Sequence, residues 1–365
     1  MTQGPAVPAF ERAVCEKVGA KYGVAVNSAT SALHVACLAL ELGPGDILWT
    51  VPNTFVASAN CALYCGAAVD FVDIDPVSWN ISISDLERRL EIAETRARLP
   101  KVLVSVHFAG QPTVQEAIRR LAVRYGFRII EDASHSMGAS RLHEQVGSCR
   151  WSDITVFSFH PVKIITTGEG GMALTNDHEL AQRMSGLRSH GITREDTLFT
   201  AGGTATNDGA WYYEQQSLGF NYRMTDIAAA LGMSQLGRVD QSINERNRLA
   251  SIYTDALQDA GLRLPVISSE NRSAFHLYVV RIDRDHRKAL RRKIFDEMRR
   301  MRIGVNVHYI PVHLQPYYRA QGFVPGQYPE AEAHGESAIT LPCYPGLKEG
   351  DQDRVIESLR SALSN

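Results

Sequence analysis

The 365-residue sequence lacks several features that would assign it to a special class of protein. Its six cysteines are scattered and do not form the paired short spacings of a zinc site, so we expect no bound metal. No run of about 20 apolar residues is present, which argues against a membrane-spanning helix. The first ten residues, MTQGPAVPAF, do not combine a basic segment with an apolar one, so no signal peptide is indicated. These absences predict a cytoplasmic protein that needs no disulfides.

An excess of charge of one sign is also missing. Lysine and arginine number 38 against 40 aspartate and glutamate residues, a net charge of −2. Nucleic-acid binding normally requires a basic excess, and none is present. The one basic stretch, residues 284–302, places Leu290, Ile294 and Met298 at helical spacing, which indicates an amphipathic helix with a solvated face. We therefore expect neither a nucleic acid nor a membrane as a partner.

The composition that remains is that of an ordinary globular protein, 44% hydrophobic and 21% charged. The chain is longer than the roughly 250–300 residues at which a single hydrophobic core stops growing. We therefore predict two domains, a large one over residues 1–240 and a smaller one over residues 241–365.

Short apolar runs rich in valine and isoleucine alternate with helical stretches over the first half of the chain. This alternation is typical of an α/β fold with a mostly parallel, seven-stranded sheet and helices on both faces. After residue 245 the pattern predicts a helix, a strand over 274–282, a basic helix, a strand over 303–308 and a terminal helix, which is a small α+β domain. The predicted strands of the large domain are residues 24–27, 47–51, 68–73, 101–106, 127–131, 153–158 and 171–175.

Polar side chains follow three of these predicted strands, at the sheet edge where α/β proteins bind ligands. Residues 27–31 (NSATS) begin a helix. Their hydroxyl and backbone N–H groups could either cap the helix in the ordinary way or bind a phosphate. Asp132 ends a strand, where a buried carboxylate needs a magnesium ion, an arginine or the protonated nitrogen of a pyridine cofactor. Lys163 follows another strand, and by its position alone it would be a surface residue.

The order of these three elements predicts a site for pyridoxal 5′-phosphate (PLP). A lysine amine forms a Schiff base with this cofactor, and a carboxylate keeps the pyridine nitrogen protonated, so that the ring accepts electrons. A lysine, whose usual pKa is about 10.4, can act as a neutral base once it is released inside a closed site. No GxxxxGK[ST] or GxGxxG motif points to a nucleoside triphosphate or a dinucleotide.

The sequence resembles the DegT/DnrJ/EryC1/StrS family of sugar aminotransferases from residue 2 to the C-terminus. The resemblance implies a fold-type-I PLP enzyme that works as a homodimer with shared active sites, with pyridoxamine phosphate as an intermediate form of the cofactor. The motifs that carry it are NSATSA (27–32), TFVAS (54–58), FVDID (71–75), EDASH (131–135), FSFHPVKIITTGEGG (157–171), His190-Gly191 and GFNYRMTDIAAALG (219–232).

The resemblance also implies a role for individual residues. Lys163 corresponds to the Schiff-base lysine and Asp132 to the partner of the pyridine nitrogen. The other cofactor contacts that it implies are Phe55 stacked on the ring, His135 at the phenolic oxygen, Thr30, Ser31 and Ser158 at the phosphate, and Asn221 reaching the phosphate from the partner subunit.

Three stretches, residues 51–75, 208–226 and 305–318, resemble the branch of the family that makes UDP-4-amino-4,6-dideoxy-N-acetyl-β-L-altrosamine for pseudaminic acid biosynthesis. That branch implies L-glutamate as the amino donor and a UDP-linked 4-keto-6-deoxy sugar as the acceptor. Three alternatives stay open. They are another dTDP- or UDP-linked 4-keto-6-deoxyhexose, a PLP-dependent sugar dehydratase (some relatives replace the lysine with histidine), and a binding or regulatory protein with this fold.

Candidate substrate contacts are harder to assign. Arg223 could meet the pyrophosphate or form a structural ion pair, and His308, Tyr309 and His313 could line the sugar pocket or be structural. Relatives carry a further N-terminal segment that helps to cover the active site. This sequence starts inside that motif, at the candidate contacts Gln3 and Gly4. We expect the lysine chemistry to be kept and the substrate affinity to depend on that segment.

Overall fold

The computed structural model describes residues 4–201, 209–283 and 286–364, so the predicted substrate contact Gln3 lies outside the described residues. Within these ranges the strands are β1 Tyr22–Val26, β2 Ile47–Thr50, β3 Ala68–Phe71, β4 Val102–Val106, β5 Arg128–Asp132, β6 Ser140–Arg141, β7 Glu144–Gln145, β8 Ile154–Ser158, β9 Gly171–Thr175, β10 Ile192–Thr193, β11 Glu214–Gln215, β12 Leu262–Arg263, β13 Asn271–Arg272, β14 Tyr278–Ile282 and β15 Ala338–Leu341.

The helices of the same ranges are α1 Ala6–Val18, α2 Ala29–Ala39, α3 Ala57–Tyr64, α4 Ile83–Thr95, α5 Gln115–Tyr125, α6 His178–Arg188, α7 Asp226–Leu236, α8 Val239–Leu257, α9 Arg287–Arg300, α10 Pro316–Arg319, α11 Pro329–Ser337 and α12 Glu349–Ser364, with short 3₁₀ turns at Phe108–Gly110, Asp196–Leu198 and Val312–Leu314. Among the described residues, no helix combines the length and the apolar character that crossing a membrane requires.

A seven-stranded sheet forms the centre of the large domain, in the order β1-β9-β8-β5-β4-β2-β3. Neighbouring strands run parallel from β8 through β5, β4 and β2 to β3, and β9 runs antiparallel to both β1 and β8. This confirms the predicted α/β fold with a mostly parallel sheet. Strands β4, β8 and β9 are buried along their whole length, which is why their sequences read as continuous apolar runs.

Helices cover both faces of this sheet, and the alternation of side chains along each strand shows it. Phe157, Met172 and Leu174 belong to one cluster of buried apolar side chains, whereas their neighbours Val156 and Ala173 belong to another. Successive side chains of a strand point to opposite faces. The two clusters are therefore two cores, one on each side of the sheet.

A third cluster of buried apolar side chains is drawn from residues 249–363 and lies between α8, α9, α12 and the antiparallel sheet β12-β14-β15. The division into a large domain over residues 1–240 and a small domain over residues 241–365 stays a prediction. The strand predicted over 303–308 is wrong. Asn306 makes only a single bridge to Thr340, because the chain then turns away and Val312 N–H donates to the Pro52 carbonyl at 2.9 Å.

Helix α2 begins at Ala29, directly after the segment that the sequence suggests as either an ordinary helix cap or a phosphate site. Ser28 caps this helix, since its Oγ accepts a hydrogen bond from the Ser31 N–H at 3.1 Å. Strand β9 passes directly beneath, and a Cβ at Gly171 would lie 2.5 Å from the Ala29 nitrogen. Only glycine at this position lets β9 and the start of α2 approach so closely.

Candidate active site

A cavity of about 1000 Å³ lies beyond the carboxyl ends of β5 and β8 and against the first turn of α2. Its far wall includes Gly304 and residues 306–309, from the part of the chain that is predicted to form the small domain. The structure therefore brings residues that are far apart in the chain together at the sheet edge where the sequence predicts a site. The predicted residues that line it are Thr30, Phe55, Asp132, His135, Ser158, Lys163, His308 and Tyr309.

The other predicted residues lie elsewhere. Ser31 is buried within the first turn of α2, where its Oγ donates to Asn27 Oδ1 at 2.7 Å, and the Gly4 N–H donates to Asp226 Oδ2 at 2.9 Å. His313 has a fully buried side chain whose Nε2 lies 3.0 Å from Glu332 Oε1. The structure thus places His313 in the interior and away from the cavity that a sugar would enter.

Asn221 and Arg223 also lie outside the cavity of their own chain. Each forms an isolated bridge, Asn221 to Ser189 and Arg223 to Val26, so this segment runs alongside the end of β1. Asn221 is exposed. Its side chain therefore does not contribute to the cavity of its own chain.

Asp132 is held in place by two serines. Ser58 Oγ donates to its Oδ2 at 2.6 Å, and Ser134 donates to its Oδ1 through both Oγ, at 2.6 Å, and the backbone N–H, at 3.2 Å. Asp132 is 6% exposed, so these donors replace the water that its carboxylate loses on burial. Sequence reasoning missed both serines, although each lies within a quoted motif, because a serine carries no sequence signal of its hydrogen-bond partner.

Lys163 lies in the turn between β8 and β9, where its backbone N–H donates to the His160 carbonyl at 2.9 Å. Burial lowers the pKa of its amine to about 8, and the opposing charge of Asp132 limits the decrease. An amine with this pKa is neutral in a sizeable fraction of molecules near pH 7–8, whereas an exposed lysine is almost always charged. A neutral amine is a nucleophile and a base, so the surroundings of Lys163 prepare it for both roles.

Three histidines share the cavity with Lys163. Burial lowers the pKa of His135 and of His276 well below the usual range and that of His308 to about 4, and the charge of Lys163 lowers each further. All three rings are therefore neutral at pH 7. His276 is the member that sequence reasoning missed, since a single histidine ahead of an apolar strand looks like an ordinary core residue.

These residues fit PLP. The Ser28 cap leaves the first N–H groups of α2 directed at the cavity rim, which suits a phosphate. Asp132 supplies a buried carboxylate for a pyridinium nitrogen, and His135 supplies a neutral imidazole at the cavity wall. Phe55 is 60% exposed, and its ring lines the cavity as an apolar surface for a flat heterocycle.

Three relatives match the chain over nearly its whole length. The spore coat polysaccharide biosynthesis protein SpsC of Bacillus subtilis is 38% identical over 100% of this chain and 91% of its own. GDP-perosamine synthase of Caulobacter vibrioides is 36% identical over 97% and 89%. UDP-4-amino-4,6-dideoxy-N-acetyl-β-L-altrosamine transaminase of Campylobacter jejuni is 34% identical over 100% and 91%. Relatives that are named for different sugars are therefore about equally identical to this chain.

Solved structures agree with the fold and with the cofactor. PseC of Helicobacter pylori, an aminotransferase involved in pseudaminic acid biosynthesis, superposes with a TM-score of 0.89 at 29% identity, over 100% of this chain and 92% of that one. Spr1654 of Streptococcus pneumoniae, in its PMP form, superposes with a TM-score of 0.90 at 26% identity, over 100% and 93%. Residues 1–360 match the DegT/DnrJ/EryC1/StrS aminotransferase family as a whole. The chain therefore belongs to this family of sugar aminotransferases, whose members use PLP.

Proposed function

We propose that the protein transfers the amino group of L-glutamate to a UDP-linked 4-keto-6-deoxy-N-acetylhexosamine. The products are UDP-4-amino-4,6-dideoxy-N-acetyl-β-L-altrosamine and 2-oxoglutarate, and the reaction belongs to pseudaminic acid biosynthesis. The observation that carries the chemistry is the convergence of Lys163, Asp132 and His135 on one cavity. The choice of sugar is supported by the relative from Campylobacter jejuni and by the likeness to PseC.

When bound, PLP supplies an electron sink that stabilises negative charge at the carbon bearing the amino group. Lys163 Nζ would take a proton from that carbon of the amino donor and deliver it to the aldehyde carbon of the cofactor, and would move it in the opposite direction when the keto sugar takes the amino group. A desolvated amine with a pKa of about 8 can carry a proton in both directions. The Asp132 carboxylate keeps a proton on the pyridine nitrogen by offering it a buried negative charge. Phe55 would cover one face of the ring, and the first turn of α2, with Thr30 at its edge, would bind the phosphate.

The substrate is tested by supplying L-glutamate and a panel of UDP-, dTDP- and GDP-linked 4-keto-6-deoxy sugars and measuring 2-oxoglutarate. We expect the UDP-linked N-acetylhexosamine to be preferred in kcat/KM by about a hundredfold, the scale at which a pocket built around specific polar groups discriminates. Preference for a GDP- or dTDP-linked sugar would replace the proposed substrate and keep the transamination. A sugar product formed without glutamate would instead indicate a dehydratase.

We further propose that two chains share their active sites. Asn221 is exposed and does not line the cavity of its own chain, and the exposed apolar side chains of Leu218 and Ile227 lie on either side of it in sequence. Leu218 is 80% exposed and Ile227 is 66% exposed, which suits a surface covered by a second copy. In that dimer, Asn221 of one chain reaches the phosphate bound by the other.

Shared sites predict complementation between two inactive variants. Lys163→Ala and Asn221→Ala chains each lack one essential part, but a mixed dimer holds one complete site. Coexpression is expected to restore about a quarter of the wild-type activity, since half of the dimers are mixed and each has one working site of two. Activity is measured as 2-oxoglutarate release. If the mixture stays as inactive as its components, Asn221 acts within its own chain.

A further inference from the structure

His135 and Tyr309 form a hydrogen-bonded pair on the wall of the cavity. His135 Nε2 lies 3.2 Å from the Tyr309 hydroxyl oxygen, although the two residues are 174 positions apart in the chain. The Tyr309 backbone N–H donates to Asn53 Oδ1 at 3.2 Å, and its ring packs edge-on against Phe108 at 6.3 Å between centroids. The tyrosine is held through its backbone and its ring, so its hydroxyl has a defined position against the imidazole.

The imidazole of His135 is enclosed on its other side by His276, with 4.5 Å between the ring centroids. His135 Nδ1 is fully buried and has no hydrogen-bond partner in the described part of the chain. Burial lowers the pKa of His135 well below the usual range, with a further contribution from Lys163. The ring is therefore neutral, and it carries a single proton on one of its two nitrogens.

The surroundings decide which nitrogen carries this proton. An N–H group at Nδ1 would be a buried donor without an acceptor, which is rare in proteins and costs free energy. At Nε2 the same proton can be donated to the Tyr309 oxygen. Tyr309 then accepts through its oxygen, and its own O–H remains available to another acceptor. Burial and the charge of Asp132 both raise the pKa of Tyr309, so the phenol keeps this proton.

We propose that the Tyr309 hydroxyl donates a hydrogen bond to the phenolic oxygen of bound PLP, in an orientation set by His135. This inference rests on the proposed function, in which His135 lies beside the same oxygen. Hydrogen bonds to a charged acceptor are roughly twice as strong as neutral ones, so an ionised phenolic oxygen is the acceptor that gains most from this donor. The other titratable groups that face the pair are Asp132, Lys163, His276 and His308.

The test is the pH titration of the visible absorbance band of the PLP-loaded protein, measured without substrate. Donors at the phenolic oxygen stabilise its ionised form and so lower the proton affinity of the chromophore. Tyr309→Phe keeps the ring and its packing but removes the donor. We expect the apparent pKa of the band to rise by about one unit, a tenfold change in proton affinity. Tyr317→Phe, at a 63% exposed tyrosine that does not line the cavity, is the control and should leave the titration unchanged.

A second variant tests whether His135 orients the Tyr309 hydroxyl. His135→Phe removes the group that orients Tyr309, and the double variant His135→Phe/Tyr309→Phe should shift the band by less than the sum of the two single shifts. Additive shifts would overturn the role of His135 in orienting Tyr309. An unchanged titration in Tyr309→Phe, or a variant that only raises KM for the sugar, would overturn the inference itself. A wild-type protein that shows no PLP band would instead contradict the proposed function.

Discussion

Replacing Lys163 by alanine is expected to lower kcat for the release of 2-oxoglutarate from L-glutamate by about 10⁴-fold, the upper range for loss of a positioned acid–base group. Lys163 is the only lysine among the described residues that line the cavity. No other amine is therefore placed to replace it as the nucleophile and as the carrier of the proton. Release of 2-oxoglutarate under saturating PLP measures the loss of chemistry separately from loss of cofactor.

Two comparisons show whether this loss belongs to the amine. Lys163→Arg keeps the positive charge but remains protonated at all accessible pH values, so it should be as inactive as the alanine variant. Lys348→Ala removes an exposed lysine outside the cavity and should behave as the wild type. Retention of wild-type kcat by Lys163→Ala would contradict the assignment of Lys163.

Asp132→Asn is expected to lower kcat by roughly 10²–10³-fold, in the range found when one preorganised electrostatic group is removed from a site. Asparagine has nearly the same shape, and its carbonyl oxygen can still accept a hydrogen bond from Ser58 or Ser134. What it loses is the negative charge that keeps the pyridine nitrogen protonated. Steady-state kinetics with L-glutamate at saturating PLP measure this effect.

The matched control is Asp46→Asn, because Asp46 precedes the first residue of β2 at the other end of the same sheet. Its carboxylate lies 2.9 Å from Lys101 Nζ and does not line the cavity. This change should alter stability slightly and leave kcat unchanged. If the Asp132 variant retains wild-type kcat, the carboxylate does not control the protonation of the cofactor.

The sheet could be predicted because its strands are buried on both faces. Each predicted strand of the large domain contains or overlaps a strand of the structure, and the apolar runs at 101–106 and 153–158 match β4 and β8 to within one residue. The strand at 303–308 failed for a different reason. Its sequence has a strand-like pattern, but a tertiary contact, Val312 N–H to the Pro52 carbonyl, pulls the following chain across to the large domain.

Residues of the candidate site could be predicted from the sequence where an ionisable side chain directly follows the end of a predicted strand. Asp132 and Lys163 were predicted from the order of their segments, and the structure places both at one cavity. The contact between His135 and Tyr309 could not be predicted, since no local pattern pairs residues 174 positions apart. His276 was missed for the same reason. The roles of these residues stay predictions until the variants are measured.

The crossing segment, residues 304–312, has a consequence for how the molecule unfolds. It follows the predicted small-domain helix α9, yet it supplies Tyr309 to the cavity wall and ends on the Pro52 carbonyl, close to the large sheet. A ligand that occupies the cavity contacts both domains through this segment and stabilises only the state in which they are assembled. Cofactor binding therefore stabilises the contact between this segment and the large sheet, and the melting temperature of the loaded chain should rise with the concentration of free PLP.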